Sequence, residues 1–264
     1  MAFFTKFLST MNESLFSTIC YGWIFIAVLA HILLFFIKSP FGRHTSKRWG
    51  ISINNKWGWF LMELPSLLIM LYFLLKGNQS FQSYAWILFV CWILHYTNRA
   101  IIYPLRIHST QKQMPLVIVL SAWSFNTINA TLNGYYLAEL APNDLYQYSW
   151  LSSTSFMTGL SLFITGMYIN WRADNMLIRL RKPGETGYKI PRGFLFDYVS
   201  SPNLFGEIVE WSGFALMAWN LPATTFLIWT LANLVPRAKN HHDWYRQTFA
   251  DYPSRRKAVF PFLF

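Results

Sequence analysis

The sequence predicts an all-α integral membrane protein with seven transmembrane helices, its N-terminus outside and its C-terminus in the cytoplasm. Three observations carry that expectation. Of 264 residues, 54% are hydrophobic and only 12% charged, about half the charged fraction of an ordinary soluble chain. The apolar residues fall into runs near the roughly 20 residues that a helix needs to cross a bilayer core. The positive charges sort to alternate ends of those runs, as Lys and Arg do on the cytoplasmic side.

Leu15 to Ile37 is the first span, 23 residues without a formal charge. It is too long for a signal-peptide core, and no small-residue cleavage motif follows it. Trp57 to Leu75 is the second, interrupted by Glu63 and Pro65. Phe81 to Thr97, Pro115 to Ala138 and Trp150 to Trp171 are the third, fourth and fifth. Leu204 to Val235 would be about 48 Å long as one helix at 1.5 Å per residue, too long for one crossing. Asn220-Leu221-Pro222 is a turn signal in its middle, so it divides into spans six and seven. The loops after spans one, three and five and the tail hold 5, 3, 6 and 6 Lys/Arg, and the intervening segments hold 1, 1, 0 and 0. That asymmetry sets the orientation and requires two crossings in the last stretch.

The net charge of +11 invites a nucleic-acid reading, but the apolar runs leave no aqueous domain to carry one. The two cysteines, Cys20 and Cys91, exclude a disulfide scaffold. GxGxxG, GxxxxGK[ST] and HExxH are absent, so Rossmann, P-loop and zincin readings have no support. GxSxG is absent too. His241-His242 are adjacent and lack a third ligand, so no metal is expected.

The few acids therefore stand out. Glu63 lies seven residues into span two, where a carboxylate costs several kcal/mol unless paired, protonated or wet. It reads as a proton or hydrogen-bond donor. Glu207 and Glu210 share one face near the start of span six, with Ser201-Pro202 before them as an expected N-cap and first helical residue. Asn126, Asn129 and Asn133 form one stripe on span four, expected to make interhelical hydrogen bonds. His95-Tyr96 closes span three, where a tyrosine is commonly an interfacial belt residue. The inner segment Arg172 to Asn203 combines Arg, Tyr and Pro-Gly turns. The tail repeats that chemistry with Arg237, His241-His242, Tyr245 and Arg246. Guanidinium groups suit phosphate oxygens, so the two segments look like the sides of a polyanion site.

These residues carry a family resemblance. Asn170-Trp171-Arg172-Ala173-Asp174, Leu180-Arg181-Lys182-Pro183-Gly184-Glu185 and Tyr188-Lys189-Ile190-Pro191-Arg192-Gly193 resemble the steroid 5α-reductase family. So do Tyr198-Val199-Ser200 through Asn203, Gly206-Glu207-Ile208-Val209-Glu210-Trp211, and Asp251-Tyr252-Pro253 to Phe264. Trp59 to Ser66 and His95-Tyr96 resemble the N-terminal half of the same family. The resemblance covers nearly the whole chain from about Phe41. It implies a single seven-helix domain over 1–264, with 1–138 mainly forming the substrate side and 150–264 the cofactor side. It implies reduction of the Δ4 double bond of 3-oxo-steroids such as testosterone or progesterone by NADPH. Glu63 and Tyr96 fall on the positions that meet the C3 carbonyl. Arg99, Asn170, Asp174, Arg181, Tyr188, Asn203, Glu207, Arg237, His241 and Tyr245 fall on cofactor-binding positions. Trp59, Met62, Phe226 and Trp229 are candidate walls of the steroid pocket. Met62 stands where the mammalian pattern has Gln, and Phe41 where it has Tyr before Gly42-Arg43-His44.

The expected protein is a monomer in a bacterial inner membrane or the endoplasmic reticulum, taking its substrate from lipid and its cofactor from the cytoplasm. The competing readings are a reductase of the same fold acting on enoyl-CoA or polyprenol lipids, a membrane S-adenosylmethionine-dependent methyltransferase, and a seven-span receptor or transporter.

Overall fold

The computed structural model describes residues 11–37, 49–78, 83–107, 112–180, 185 and 187–264. The chain is mostly helical. Helix α1 (Glu13–Phe36) starts where the Asn12 side chain accepts the Leu15 N–H at 2.8 Å. Helix α2 (Asn55–Lys76) contains Pro65. Helix α3 (Trp86–Thr97) runs through a π-helical turn, Asn98–Ile102, into the short α4 (Tyr103–Arg106). Helix α5 (Leu116–Tyr135) also ends in a π turn, Tyr136–Leu140. The expected fifth span divides. Trp150 lies in a separate turn of helix, α6 (Tyr148–Leu151), and α7 (Thr154–Arg179) begins where Ser153 Oγ accepts the Phe156 N–H. Helices α8 (Pro202–Ala218) and α9 (Leu221–Thr248) follow. The turn expected at Asn220-Leu221-Pro222 is the N-cap of α9, with Asn220 Oδ1 accepting the Ala223 N–H at 2.9 Å. Ser201 and Pro202 are the N-cap and first helical residue of α8, as expected, but the Ser201 hydroxyl makes no hydrogen bond. Glu207 and Glu210 lie beyond the first turn, where the helix terminus no longer stabilises charge.

Contacts between connections sort the bundle into two ends. At one end, β1 (Ser52–Asn54) pairs antiparallel with β2 (Gln113–Pro115). There too, Lys112 sits 4.9 Å over the Tyr188 ring and Asn240 donates to the Leu34 carbonyl at 3.5 Å. At the other end, Tyr135 donates to the Met11 carbonyl at 3.5 Å, Asn78 N–H to Glu139 at 3.2 Å and Tyr84 N–H to the Tyr146 carbonyl at 2.8 Å. Segments that the charge pattern assigns to one side thus touch one another.

Apolar surface faces outward along α1, where Tyr21, Phe25, Ile32, Leu33 and Phe36 are exposed. Among the described residues, two helices, α1 and α2, are long and apolar enough to cross a membrane by themselves. Helix α3 has 12 residues and α8 has 17, and the last turns of α7 and α9 are polar.

The tightest packing is between α7 and α8. Gly159 and Gly166 on one helix meet Gly206 and Gly213 on the other, backbone against backbone. Small residues at such spacing let helices approach closely.

The C-terminal segment is tied back to the bundle at Ser200. The Lys257 carbonyl accepts from the Ser200 amide at 2.8 Å and from its hydroxyl at 3.1 Å. Ser200 Oγ also lies 2.6 Å from both Tyr252 Oη and His242 Nδ1. Burial holds the His242 imidazole below its ordinary pKa. A depressed folded pKa gives stability that is complete above the ordinary value near 6.5 and is lost as pH falls through the folded value. Thermal unfolding is therefore expected at lower temperature as pH drops below about 6. Melts of wild type and His242→Asn across pH 5–8 (a window set by the ordinary His value) check this, the variant showing the flatter profile.

Candidate active site

A cavity of about 400 Å³ opens between α2, α3, α5, α8 and α9, within the size range of small-molecule sites. Its walls are largely apolar. Trp59 and Met62 come from α2, Phe125 from α5, and Phe226 and Trp229 from α9, with Trp23 reaching in from α1. Trp23 and Trp229 lie 4.7 Å apart between ring centroids, and Phe125 packs on both. All four expected pocket residues, Trp59, Met62, Phe226 and Trp229, line this cavity. Trp23 and Phe125 were not foreseen, because lone aromatics in apolar spans carry no signal of which face they occupy.

Glu63 and Tyr96 line the same cavity. Tyr96 is buried rather than placed at an interface. Asn126 joins the two. Its amide nitrogen donates to Glu63 Oε2 at 3.0 Å and to the Met62 carbonyl at 2.7 Å, and its Oδ1 accepts from the Tyr96 hydroxyl at 3.3 Å. The asparagine stripe of α5 does make interhelical bonds, Asn129 with Trp23 at 3.2 Å and Asn133 with the Pro222 carbonyl at 3.4 Å. Its first member also lies on the cavity wall, a role that the stripe alone did not reveal.

Arg99, Glu207 and Arg237 also line the cavity. Arg99 projects from the π turn, which re-aims side chains relative to a regular helix. Its guanidinium lies 3.3 Å from Asp174 Oδ2 and 3.7 Å from Glu207 Oε2, and 4.9 Å from the Trp59 ring centroid. Asp174 Oδ1 accepts from Asn203 at 3.0 Å, and the Asn203 carbonyl accepts from Asn170 at 3.0 Å. Asn170 Oδ1 is buried without a hydrogen-bond partner. Behind this network His95 Nδ1 lies 2.8 Å from Glu210 Oε1, both fully buried, holding α3 to α8.

Among the ten expected cofactor residues, the structure gathers Arg99, Asn170, Asp174, Asn203, Glu207 and Arg237 around one network. Tyr188 instead packs against Trp244 at 5.0 Å, and Tyr245 stacks on Tyr252 at 5.2 Å. His241 lies on α9 four residues beyond Arg237. These three do not line the cavity. Arg181, Phe41 and the Gly42-Arg43-His44 motif lie outside the described residues.

Removing one partner from a buried charge network leaves uncompensated charge and costs about 3–5 kcal/mol. Arg99→Met, which leaves Asp174 and Glu207 facing each other, is expected to show that loss as a lower unfolding temperature. Arg99→Lys is expected to recover part of it, since a point charge replaces a planar fork.

A largely apolar chamber with a phenol, an amide and a carboxyl group on its wall, beside a buried guanidinium–carboxylate network, has the make-up of a small-molecule site. A family model described as 3-oxo-5-alpha-steroid 4-dehydrogenase matches residues 112–264. A steroid 5-alpha-reductase of Solanum lycopersicum is 43% identical over 257 residues, covering 96% of this chain and 98% of the relative. The 3-oxo-5-alpha-steroid 4-dehydrogenase 1 of Mus musculus is 41% identical, covering 90% and 93%. That of Homo sapiens is 40% identical, covering 86% and 87%. The chain belongs to the 3-oxo-5-alpha-steroid 4-dehydrogenase family and is an oxidoreductase of the nicotinamide-dependent kind. That membership decides against the methyltransferase and receptor readings.

Proposed function

We propose that this chain reduces the Δ4 double bond of 3-oxo-steroids to the 5α product with NADPH, in a seven-span membrane bundle whose cofactor side faces the cytoplasm. The observation that carries the reading is the Glu63–Asn126–Tyr96 cluster on the wall of an apolar cavity that Arg99, Glu207 and Arg237 also line.

The donor set fits the cofactor. Two guanidinium groups suit its phosphates, and the buried Asn170 Oδ1 without a partner suits an amide or hydroxyl donor. Arg99, Asn170, Asp174, Asn203, Glu207 and Arg237 would hold it, and Arg181, Tyr188, His241 and Tyr245 would complete the cytoplasmic side. When bound, NADPH supplies the hydride that adds to steroid C5. The residues then act on the charge this creates. As C5 gains hydride, negative charge develops on the C3 oxygen. Donors aimed there stabilise the transition state more than the ground state. Tyr96 gives one hydrogen bond. Glu63 gives another in its acid form. The enolate then takes a proton at C4 from water, which restores the C3 ketone. Trp59, Met62, Phe226 and Trp229 enclose the ring system and exclude water, which strengthens both hydrogen bonds.

The seven crossings are supported by the pairing of connections at each end and by the exposed apolar face of α1. The substrate reaches the cavity from lipid, and the protein acts as a monomer in the inner or endoplasmic reticulum membrane. The deciding experiment follows NADPH oxidation by purified protein with testosterone or progesterone and identifies the product. A 5α-reduced steroid is expected. Activity on an enoyl-CoA or polyprenol substrate, with none on any Δ4-3-oxo-steroid, would overturn the reading.

A further inference from the structure

We propose that Asn126 is a positioning residue that fixes where the Tyr96 and Glu63 hydrogens lie before substrate arrives, its amide carbonyl standing in for the steroid ketone. The inference rests on the carbonyl-polarising role proposed for Glu63 and Tyr96.

The orientation of the Asn126 amide is set by a group that cannot change its role. The Met62 carbonyl lies 2.7 Å from Asn126 Nδ2, and a backbone carbonyl only accepts. Turning the amide over would set oxygen against oxygen. The nitrogen therefore faces Met62, and its second hydrogen goes to Glu63 Oε2 at 3.0 Å. The oxygen is left facing the Tyr96 hydroxyl at 3.3 Å. An amide oxygen has no hydrogen to give, so the phenol donates in this contact, the Ser66 hydroxyl being the phenol oxygen's other hydrogen-bond partner.

Two consequences follow for the reacting hydrogens. The Tyr96 hydrogen already points at an sp² carbonyl oxygen on the cavity wall, as it would toward a ketone. The 3.3 Å contact is long for an O–H···O bond, whose usual length is near 2.7–2.8 Å, so a ketone oxygen displaces it at little cost. For Glu63, an N–H donor on Oε2 makes that oxygen the accepting one. In the acid form the proton then sits on Oε1, free for the C3 oxygen. Asn126 gives both amide hydrogens to protein acceptors and keeps none for a ligand. It acts through its neighbours and leaves the ketone to them.

Asn126→Leu keeps the branched shape and number of side-chain heavy atoms, in a somewhat larger volume, and removes every one of these bonds. A misplacement of about 1 Å in reacting groups costs about 10²-fold in rate, and that loss is expected in kcat, with KM for the steroid and cofactor binding changed only a few-fold. In a Tyr96→Phe background the same substitution is expected to cost about tenfold less, because coupled residues are not additive. Asn126→Asp, which keeps size and polarity but loses the amide hydrogens, is the second variant and should fall with the first. Near wild-type kcat in either variant overturns the proposal. So does an undiminished loss in the Tyr96→Phe background. Failure of both variants to bind cofactor overturns it as well, since Asn126 would then serve packing alone. A wild type that reduces no 3-oxo-steroid is a different result: it removes the proposed function itself and this inference with it.

Discussion

Glu63→Gln is expected to lower kcat for Δ4 reduction by about 10²–10³-fold, the usual cost of losing a transition-state donor or general acid, while cofactor binding stays near wild type. The asymmetry follows from where Glu63 sits. It lines the apolar cavity and bonds to Asn126, whereas Arg99 is paired with Asp174 and Glu207. Glutamine keeps the shape, and its carbonyl can still accept from Asn126. Its amide hydrogens are far less acidic than a carboxylic acid's, so they support developing charge on the C3 oxygen less and cannot deliver a proton. An interaction made mainly in the transition state moves kcat more than KM. The measurement is a pair of experiments on one preparation: steady-state NADPH oxidation with testosterone, and fluorescence titration of the cofactor. Unchanged turnover would remove Glu63 from the chemistry. Lost cofactor binding would assign it to the cofactor-holding residues instead.

Glu63 was legible because an acid inside an apolar span is costly wherever the helices pack. The positions of most helices were legible for the same one-dimensional reason, as was the break at Asn220, whose side chain caps the next helix. What the sequence hid was pairing at long range. His95 and Glu210 are 115 residues apart, and their contact at 2.8 Å depends on how α3 leans on α8. Asn126 was visible as one of three asparagines on a face, yet periodicity could not say that the first of them meets Glu63 and Tyr96 while the others meet α1 and α9. Ser201 was legible as the N-cap position, with Pro202 opening the helix, but not in what its side chain does. Its Ser-Pro pattern suits a cap, but the α8 backbone there sits at φ −136°, ψ 63°, away from the extended geometry in which a serine oxygen usually reaches the N2 or N3 amide. The π turn after Thr97, which turns Arg99 into the cavity, has no sequence signature of the kind that Pro or Gly gives a bend.

Gly166→Ala is expected to cost more than 4–5 kcal/mol, which places it among the exceptional single substitutions. In an ordinary helix interior the same change stabilises by about 0.5–1 kcal/mol, since alanine loses less backbone freedom than glycine. The sign reverses here because of what the new methyl would meet. It would lie 2.2 Å from the Glu210 amide nitrogen and 2.5 Å from the Gly206 carbonyl oxygen. Both are backbone atoms of α8, and neither can turn aside as a flexible side chain would. The two helices must separate, and α8 carries the site with it. Glu210 leaves His95, Glu207 leaves Arg99, and the Asn170–Asn203–Asp174 chain across the same seam opens. Loss of cofactor binding should therefore accompany the fall in unfolding temperature, although Gly166 itself does not line the cavity. Gly22→Ala is the control. It lies in α1, where an added methyl meets nothing within 4 Å, so only the favourable backbone effect remains. If Gly166→Ala melts like Gly22→Ala and still binds cofactor, the α7–α8 seam is more pliable than backbone-on-backbone contact permits, and the placement of Glu207 and Glu210 must come from elsewhere.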